Sequence, residues 1–213
     1  MNLQEYVQGA IETESRIDAV QADPVILSRV LGAMISAGNL LDMVKKNVFY
    51  GKPVAPEKWN HEVGLLAENA NRLSAGEYRP LRNEDYKQPI DPRLFHAIIG
   101  IATEATELLN VMHKQLQSWP QMDPVNLQEE LGDLAWYQAI MVDTLGVSWE
   151  QILETNQAKL RARNKGRQFN ATATIDRNVD AERKILEGGD ARAKVEESYA
   201  FGGTDFPHDN LDY

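Results

Sequence analysis

Cysteine is absent from the 213-residue chain, which excludes both disulfides and thiolate metal ligands. Long hydrophobic runs are lacking too, since no segment approaches the roughly 20 apolar residues that span a bilayer. The polar and acidic start has no hydrophobic stretch typical of a signal peptide. We therefore expect a cytoplasmic protein without a membrane partner.

Basic residues are outnumbered, because 22 Lys and Arg stand against 32 Asp and Glu and give a formal net charge of −10. Such a charge repels phosphate backbones, so we expect no nucleic-acid partner. A small polyanion can still bind an acidic protein when a divalent cation lies between the two. The composition leaves open a metal-dependent site for a phosphate-bearing small molecule.

Strand-like alternation is also missing, and apolar residues recur at spacings of three and four, which predicts an all-α fold. Asp91, Asp123 and Ser148 each precede such a segment and are candidate N-caps. Stretches with Gly or Pro interrupt the pattern at 50–56 and 74–91, and the acidic segment 188–213 is predicted to be a flexible tail. The predicted helices cover 25–49, 56–73, 92–117, 124–144, 149–163 and 177–187.

An internal repeat with an offset of 68 residues relates the two halves of the chain. Residues 31–46 align with 99–114, and residues 56–66 with 124–134, both without a gap. An ungapped register across two helices and their loop indicates a duplicated helical hairpin. We therefore predict a pseudo-dimer of two hairpins packed into one bundle. Its parts are a degenerate N-terminal repeat at 1–73, a linker at 74–91 and a second repeat at 92–187.

Four acidic residues of the second repeat lie on apolar helix faces. Glu104 and Glu107 are one turn apart, and Glu130 and Asp133 have the same spacing on the next helix. One such pair is usually a solvated face, but two pairs on successive, antiparallel helices can face each other. Four carboxylates in a core repel each other and lose hydration. Because Mg²⁺ prefers oxygen ligands and offsets this charge, we predict that these four residues bind it.

The segments "EATELLN", "LQEELGDLAWY" and "GVSWEQILETNQAKLRARNKGRQF" resemble the MazG-like nucleoside triphosphate pyrophosphohydrolases. "DRNVDAERKILE" resembles the segment that ends many phage-encoded members, which would place the protein in the host cytoplasm. The resemblance covers 92–187 well and 25–73 more weakly. It implies an all-α, usually oligomeric enzyme that uses Mg²⁺, or Mn²⁺ as a substitute, to release pyrophosphate from a nucleoside triphosphate. The implied catalytic metal ligands are Glu104, Glu107, Glu130 and Asp133, and the implied phosphate-side residues are Asn156, Lys159 and Arg163.

Two departures from the family pattern affect the expected site. Thr103 stands where the family often has a further acid. In the first repeat, Ser36, Asn39 and Leu65 occupy the positions of three of the four acids, and only Glu62 is retained. We therefore expect no metal in the first repeat. A basic cluster there is either a solvated helix end or a set of substrate-binding cations donated to the other repeat; it includes Lys45, Lys46 and Lys52.

Substrate identity cannot be derived from these residues. The enzyme would control or sanitise the nucleotide pool, for instance by removing damaged nucleotides or by depleting dGTP or dATP in a phage. Trp136 and Tyr137 follow the second acidic pair, and we expect them to pack in the core rather than to stack on a base. A different class of protein is also compatible with the sequence: a non-catalytic helical protein that binds metal or serves in regulation or assembly.

Overall fold

Eight α-helices and two very short strands form the described part of the computed structural model, which covers residues 1–75, 87–88, 90–118, 121–164 and 169–187. The all-α prediction is confirmed. The predicted tail at 188–213 and most of the predicted linker lie outside the described residues. The elements are α1 Leu3–Glu12, β1 Val20–Gln21, α2 Pro24–Tyr50, α3 Pro56–Ser74, β2 Lys87–Gln88, α4 Pro92–Ser118, α5 Pro124–Thr144, α6 Trp149–Arg163, α7 Ala171–Ile175 and α8 Val179–Glu187.

Helix starts follow the expected capping chemistry. Proline is the first residue of each of the helices α2 to α5, where an N–H would have no helical partner. The three predicted N-caps, Asp91, Asp123 and Ser148, each accept a hydrogen bond from a backbone N–H of the first turn. Helix α2 ends at Gly51, whose φ of +67° favours glycine.

The helices α2 to α5 form two hairpins, in which α2 packs along α3 and α4 packs along α5. Helices α2 and α4 both have 27 residues, and the starts of all four helices keep the offset seen in the sequence. Each hairpin also has a close approach at an equivalent glycine. A Cβ at Gly32 would lie 2.9 Å from the Asn69 amide, and a Cβ at Gly100 would collide with the Tyr137 ring.

The hairpins are separate packing units within the described residues, since no helix of the first packs extensively against a helix of the second. Strand β1 pairs antiparallel with β2, so the segments that lead into α2 and α4 lie side by side. The single bundle expected for the two repeats is thus not seen in the described chain. Each long helix has more than one apolar face, and apolar spacing does not specify which face finds a partner in the same chain.

Helix α1 is absent from the sequence-based prediction. It begins with a capping box in which Asn2 and Glu5 exchange hydrogen bonds of 2.8 and 2.9 Å. It packs on α5, so part of the predicted N-terminal unit lies against the second hairpin. Their shared core consists of Val7, Ala10, Ala139 and Val142, flanked by Tyr6, Ile11, Trp136, Val147, Trp149 and Ile152.

Two of the described helices, α2 and α4, are long and apolar enough to cross a membrane by length and composition alone. Each helix packs along one other helix, and 11% of its apolar window is buried within the described residues. The expected absence of a membrane partner stays a prediction.

Candidate metal centre

Helices α4 and α5 bring the predicted acids together. One carboxylate oxygen from each of Glu104, Glu107 and Glu130 lies within 4.8 Å of the other two. Glu130 is only 5% exposed, Glu104 is half-buried and Glu107 is exposed. Three of the four predicted ligands therefore already have the spacing of a shared cation site. With Asp133 they are called the carboxylate cluster below.

Asp133 belongs to this cluster electrostatically, although it is exposed. Burial raises the pKa of Glu104, and the negative charges of Glu107, Asp133 and Glu130 raise that pKa further. The other three predicted acids thus all act on Glu104, which holds its proton more tightly than a separate glutamic acid would.

Within the described residues no Lys or Arg forms an ion pair with the cluster, since none of the ion pairs found there includes one of its four members. A neutral group orients Glu130 instead, because the Asn126 side-chain amide donates a hydrogen bond of 2.8 Å to its Oε1. Thr103, which replaces a family acid, donates its hydroxyl to the Gly100 carbonyl at 2.9 Å. The uncompensated charge is the distinguishing property of the site.

Tyr6 is a neighbour of the cluster that the sequence analysis missed. Its hydroxyl donates a 3.2 Å hydrogen bond to the carbonyl of Gly132, the residue before Asp133. Burial raises the pKa of Tyr6, and the charge of Asp133 raises it further. Only the packing of α1 on α5 brings Tyr6 here, and the N-x-x-E capping box at the chain start is the signal that would have revealed α1.

The aromatic residues after the second acidic pair pack inside the fold. The rings of Trp136 and Tyr137 meet edge to face at 4.9 Å, and His96 contacts both. Trp136 also donates its indole N–H to the Thr13 hydroxyl at 2.9 Å. Burial raises the pKa of Tyr137, and the charges of Glu104 and Asp133 raise it further. Tyr137 therefore lies between the rings of Trp136 and His96 on one side and the carboxylate cluster on the other.

The first hairpin has different chemistry at the equivalent positions. Asn39 donates its amide to Glu62 Oε1 at 3.0 Å, where the second hairpin has two carboxylates. Ser36 is 2% exposed, and Leu65 is 37% exposed. The first hairpin thus has a hydrogen bond between an amide and a carboxylate where the second hairpin has two carboxylates that repel each other.

The predicted substrate-binding lysines lie at the end of α2 and just beyond it. Lys45 pairs with Asp42 at 2.6 Å, and Lys46 pairs with the other oxygen of the same carboxylate. Hydrogen bonds from these two lysines lower the pKa of Asp42. Lys52 is exposed just after the helix. Because the first hairpin does not pack extensively on α4 or α5, nothing in the described chain holds these lysines against the carboxylate cluster.

The predicted phosphate-side residues on α6 differ in their exposure and in the contacts that hold their side chains. Asn156 is exposed and Lys159 is half-buried. Arg163 binds Glu182 on α8 through two hydrogen bonds of 2.8 and 2.9 Å, and Arg177 binds the same carboxylate. Hydrogen bonds from Arg163 and Arg177 lower the pKa of Glu182 to about 2. Arg163 therefore joins α6 to α8 in this conformation.

Comparison of the chain with protein-family models, with curated proteins and with solved structures gives no match in any of the three. The case for a function therefore depends on the geometry of the carboxylate cluster and on the resemblance of the motifs.

Proposed function

We propose that the chain is a Mg²⁺-dependent nucleoside triphosphate pyrophosphohydrolase whose metal centre is the carboxylate cluster. The observation that carries the proposal is the convergence of Glu104, Glu107 and Glu130 from α4 and α5, with Asp133 near enough for its charge to act on Glu104. Burial raises the pKa of Glu104, and the charges of the other three acids raise it further. Clusters of perturbed carboxylates are typical of functional sites. The resemblance of the E-x-x-E and E-x-x-D motifs to those of the MazG-like family indicates the class of reaction.

The residues fit a hard divalent cation. All four side chains offer carboxylate oxygens, which are the ligands that Mg²⁺ and Mn²⁺ prefer. The oxygens of Glu104, Glu107 and Glu130 lie within 4.8 Å of one another, so modest side-chain rotation is enough to converge on one ion. The amide of Asn126 fixes the orientation of Glu130, as hydrogen bonds around a metal ligand commonly do.

The chain's own groups would prepare the site for a triphosphate. Positive charge in the cluster would offset the burial and repulsion that raise the pKa of Glu104, and the burial of Glu130 keeps bulk water from its carboxylate. When bound, Mg²⁺ supplies an activated water and charge compensation for the leaving pyrophosphate. No side chain needs to act as a nucleophile.

We interpret the two hairpins as copies of one MazG-like unit, of which the second is catalytic. The equal lengths of α2 and α4, the proline starts and the two glycine approaches support a common origin. Three of the four acids are present in the second copy only, since the first copy retains Glu62 alone. The copies then divide their roles, with the metals in the second and substrate-binding cations at Lys45, Lys46 and Lys52 in the first.

The proposed substrate is a deoxynucleoside triphosphate, in keeping with control of the nucleotide pool. Asn156 and Lys159 on α6 are the proposed phosphate-side residues with free side-chain ends. Arg163 would have to leave Glu182 to take part. The net charge of −10 favours a metal-bridged small anion over a nucleic acid.

A panel of deoxynucleoside and ribonucleoside triphosphates with detection of released pyrophosphate tests the proposal. The paired change Glu104→Gln and Asp133→Asn should lower Mg²⁺-dependent release at least about a hundredfold, since metal-ligand interactions contribute several kcal/mol. The matched control is Glu129→Gln, which removes an exposed acid next to the cluster and should leave the rate unchanged.

Two outcomes would contradict the enzymatic assignment. Unchanged release in the paired variant would show that the reaction does not use these acids. No release by the wild type on any nucleotide, together with Mg²⁺ binding that the paired variant loses, would favour the non-catalytic metal-binding protein.

A further inference from the structure

The turn of α5 that carries Asp133 is held by a side chain from another helix. The Tyr6 hydroxyl, on α1, donates a 3.2 Å hydrogen bond to the carbonyl of Gly132, the residue before Asp133. A backbone carbonyl has two acceptor sites, so this bond can add to one that the carbonyl accepts within its own helix. Helix α1 thereby contacts α5 next to the carboxylate cluster.

Asp133 is the member of the cluster that lacks a fixed place for its carboxylate. The oxygens of Glu104, Glu107 and Glu130 already lie within 4.8 Å of one another, and Asp133 is not part of that set. Within the described residues, none of the ion pairs and side-chain hydrogen bonds includes the Asp133 carboxylate. The position of this side chain therefore depends on the backbone that carries it.

The backbone at this point has little support from its own side chains. Gly132 has no Cβ, and glycine in a helix interior leaves the chain freer than alanine does. A Cβ at Gly132 would meet no atom of a neighbouring element within 4 Å, so close packing does not hold this turn. A hydrogen bond from outside the helix supplies order that the local sequence lacks.

Helix α1 is itself well fixed on α5. Val7, the residue after Tyr6, is 4% exposed, and Ala10 is 3% exposed, both in the core shared with α5. Among the described elements, α1 packs extensively on α5 and not on α2 or α3. The N-terminal helix thus belongs to the hairpin that has the acids, and it presents Tyr6 from a rigid support.

We propose that Tyr6 is a positioning residue for Asp133, whose hydroxyl fixes the α5 backbone at Gly132 so that Asp133 joins the other three acids around one cation. This role rests on the proposed metal centre. Burial raises the pKa of Tyr6, and the charge of Asp133 raises it further, so the hydroxyl keeps its proton and remains a donor. Tyr6 acts through the backbone and does not bind the cation itself.

Calorimetric titration of Mg²⁺ into the metal-free full chain tests this role with Tyr6→Phe, which keeps the ring and removes only the hydroxyl. The affinity should fall by about three- to tenfold, less than the roughly 10–100-fold typical of a group bound directly to a metal ligand. The matched control is Thr13→Val. It removes another hydrogen bond between α1 and α5, the one of 2.9 Å from the Trp136 indole, and should leave the affinity unchanged.

The Asp133→Asn background distinguishes positioning from a general loosening of α1. Three acids remain there, and the rise of the unfolding temperature with millimolar Mg²⁺ reports even weak binding. Because Tyr6 has no carboxylate left to position, adding Tyr6→Phe should cause no further loss of the Mg²⁺ response. A further loss as large as in the wild type would contradict the role, since Tyr6 would then act on the fold as a whole.

The possible results separate this role from the proposed function. Wild-type affinity in Tyr6→Phe, or the same loss in Thr13→Val, would overturn the positioning role and leave the metal centre standing. Absence of Mg²⁺ binding by the wild type would overturn both. Mg²⁺ binding that depends on Tyr6, without pyrophosphate release from any nucleotide, would support the role and overturn the enzymatic assignment alone.

Discussion

The two hairpins share a backbone plan and differ in the charge between their helices. Both start with Pro-initiated helices, both have a first helix of 27 residues, and both bring that helix close to its partner at a glycine. In the first hairpin, the Asn39 amide binds Glu62 at 3.0 Å. In the second, the carboxylates of Glu104, Glu107 and Glu130 converge, and burial together with the charges of neighbouring acids raises the pKa of Glu104.

This difference distinguishes the residues that the helices need for packing from the residues that serve the candidate site. Because the first hairpin forms with Ser36 and Asn39 at the positions of Glu104 and Glu107, acids at these positions are not required for the helices to pack. In the second hairpin they oppose folding through repulsion and desolvation. Residues that cost stability without serving the packing are typical of functional sites, and the function we propose for them is the binding of a cation.

The largest effect is expected when the acids are transplanted into the first hairpin. Ser36→Glu, Asn39→Glu and Leu65→Asp together should lower the free energy of unfolding by on the order of a few kcal/mol without divalent cations. The acid at position 36 would be buried, and Asn39→Glu would replace the hydrogen bond to Glu62 with a repulsion. Mg²⁺ should restore much of that loss. Chemical denaturation with and without Mg²⁺ gives both values.

The matched control for the transplant is the neutral set Ser36→Gln, Asn39→Gln and Leu65→Asn. It makes changes of similar size and should show no response to Mg²⁺. An equal Mg²⁺ response in both sets would show that acidic charge is not what distinguishes the two hairpins.

The two equivalent glycines should respond differently to alanine. Gly100→Ala places a methyl group into the Tyr137 ring and should destabilise the fold by about 1–3 kcal/mol. Gly32→Ala meets the amide end of the Asn69 side chain, which would have to shift its hydrogen bond to the Leu65 carbonyl. It should cost less than Gly100→Ala, by about 1 kcal/mol or more, because a side-chain end moves more easily than a ring and alanine favours the helix. Urea denaturation of both variants measures the difference. A larger loss at Gly32 would show that the two contacts are not as described.

The pH dependence of stability should also distinguish the hairpins. The folded chain holds the proton of Glu104 more tightly than the unfolded chain does. Its contribution to the free energy of unfolding is therefore complete below the ordinary pKa of glutamic acid and is lost as the pH rises through the raised pKa. The Glu104→Gln variant should lack this loss in metal-free urea denaturation, and an unchanged profile would contradict the repulsion.

Glu182 should give the opposite slope at lower pH and serves as an internal reference. Its pKa is lowered from 4.5 to about 2 by Arg163 and Arg177. The stability it contributes is present above 4.5 and is lost as the pH falls toward about 2. Denaturation of Glu182→Gln over this window should show a smaller loss than the wild type, and an equal loss would argue against the ion pair between α6 and α8.

The smallest effect is expected from the lysines of the first hairpin. If they bind substrate held at the carboxylate cluster, Lys46→Ala with Lys52→Ala should raise KM by up to about fivefold with kcat unchanged, as for exposed ion pairs. The control is Lys114→Ala, the residue of α4 that is equivalent to Lys46. Steady-state kinetics that show the same change in both variants would assign the effect to general charge.

Much of the fold follows from local sequence signals. The capped starts of α4, α5 and α6 are confirmed because Asp91, Asp123 and Ser148 meet the chemical needs of a first turn. Helix α1 is harder to predict, because it is short and its first turn is polar. Strands β1 and β2 have two residues each, which is too short for a visible alternation.

The candidate site was only partly predictable. The i, i+3 spacing places the two acids of each helix on the same side of that helix. Antiparallel packing of α4 on α5 then brings the two acidic sides together. Tyr6 contacts Gly132 across 126 residues of sequence, and no local pattern reports such a contact. Whether the two hairpins pack on each other depends on which apolar face of each long helix finds a partner. Hydrophobic spacing alone does not show which face packs most favourably.

The central claim is that the second hairpin holds a divalent cation and the first does not. Calorimetric titration of Mg²⁺ into the metal-free wild type, into Glu104→Gln with Asp133→Asn, and into Glu62→Gln tests it most directly. We predict binding by the wild type, loss of binding in the paired variant and wild-type binding in Glu62→Gln. Binding that survives in the paired variant, or that is lost in Glu62→Gln, would contradict the account.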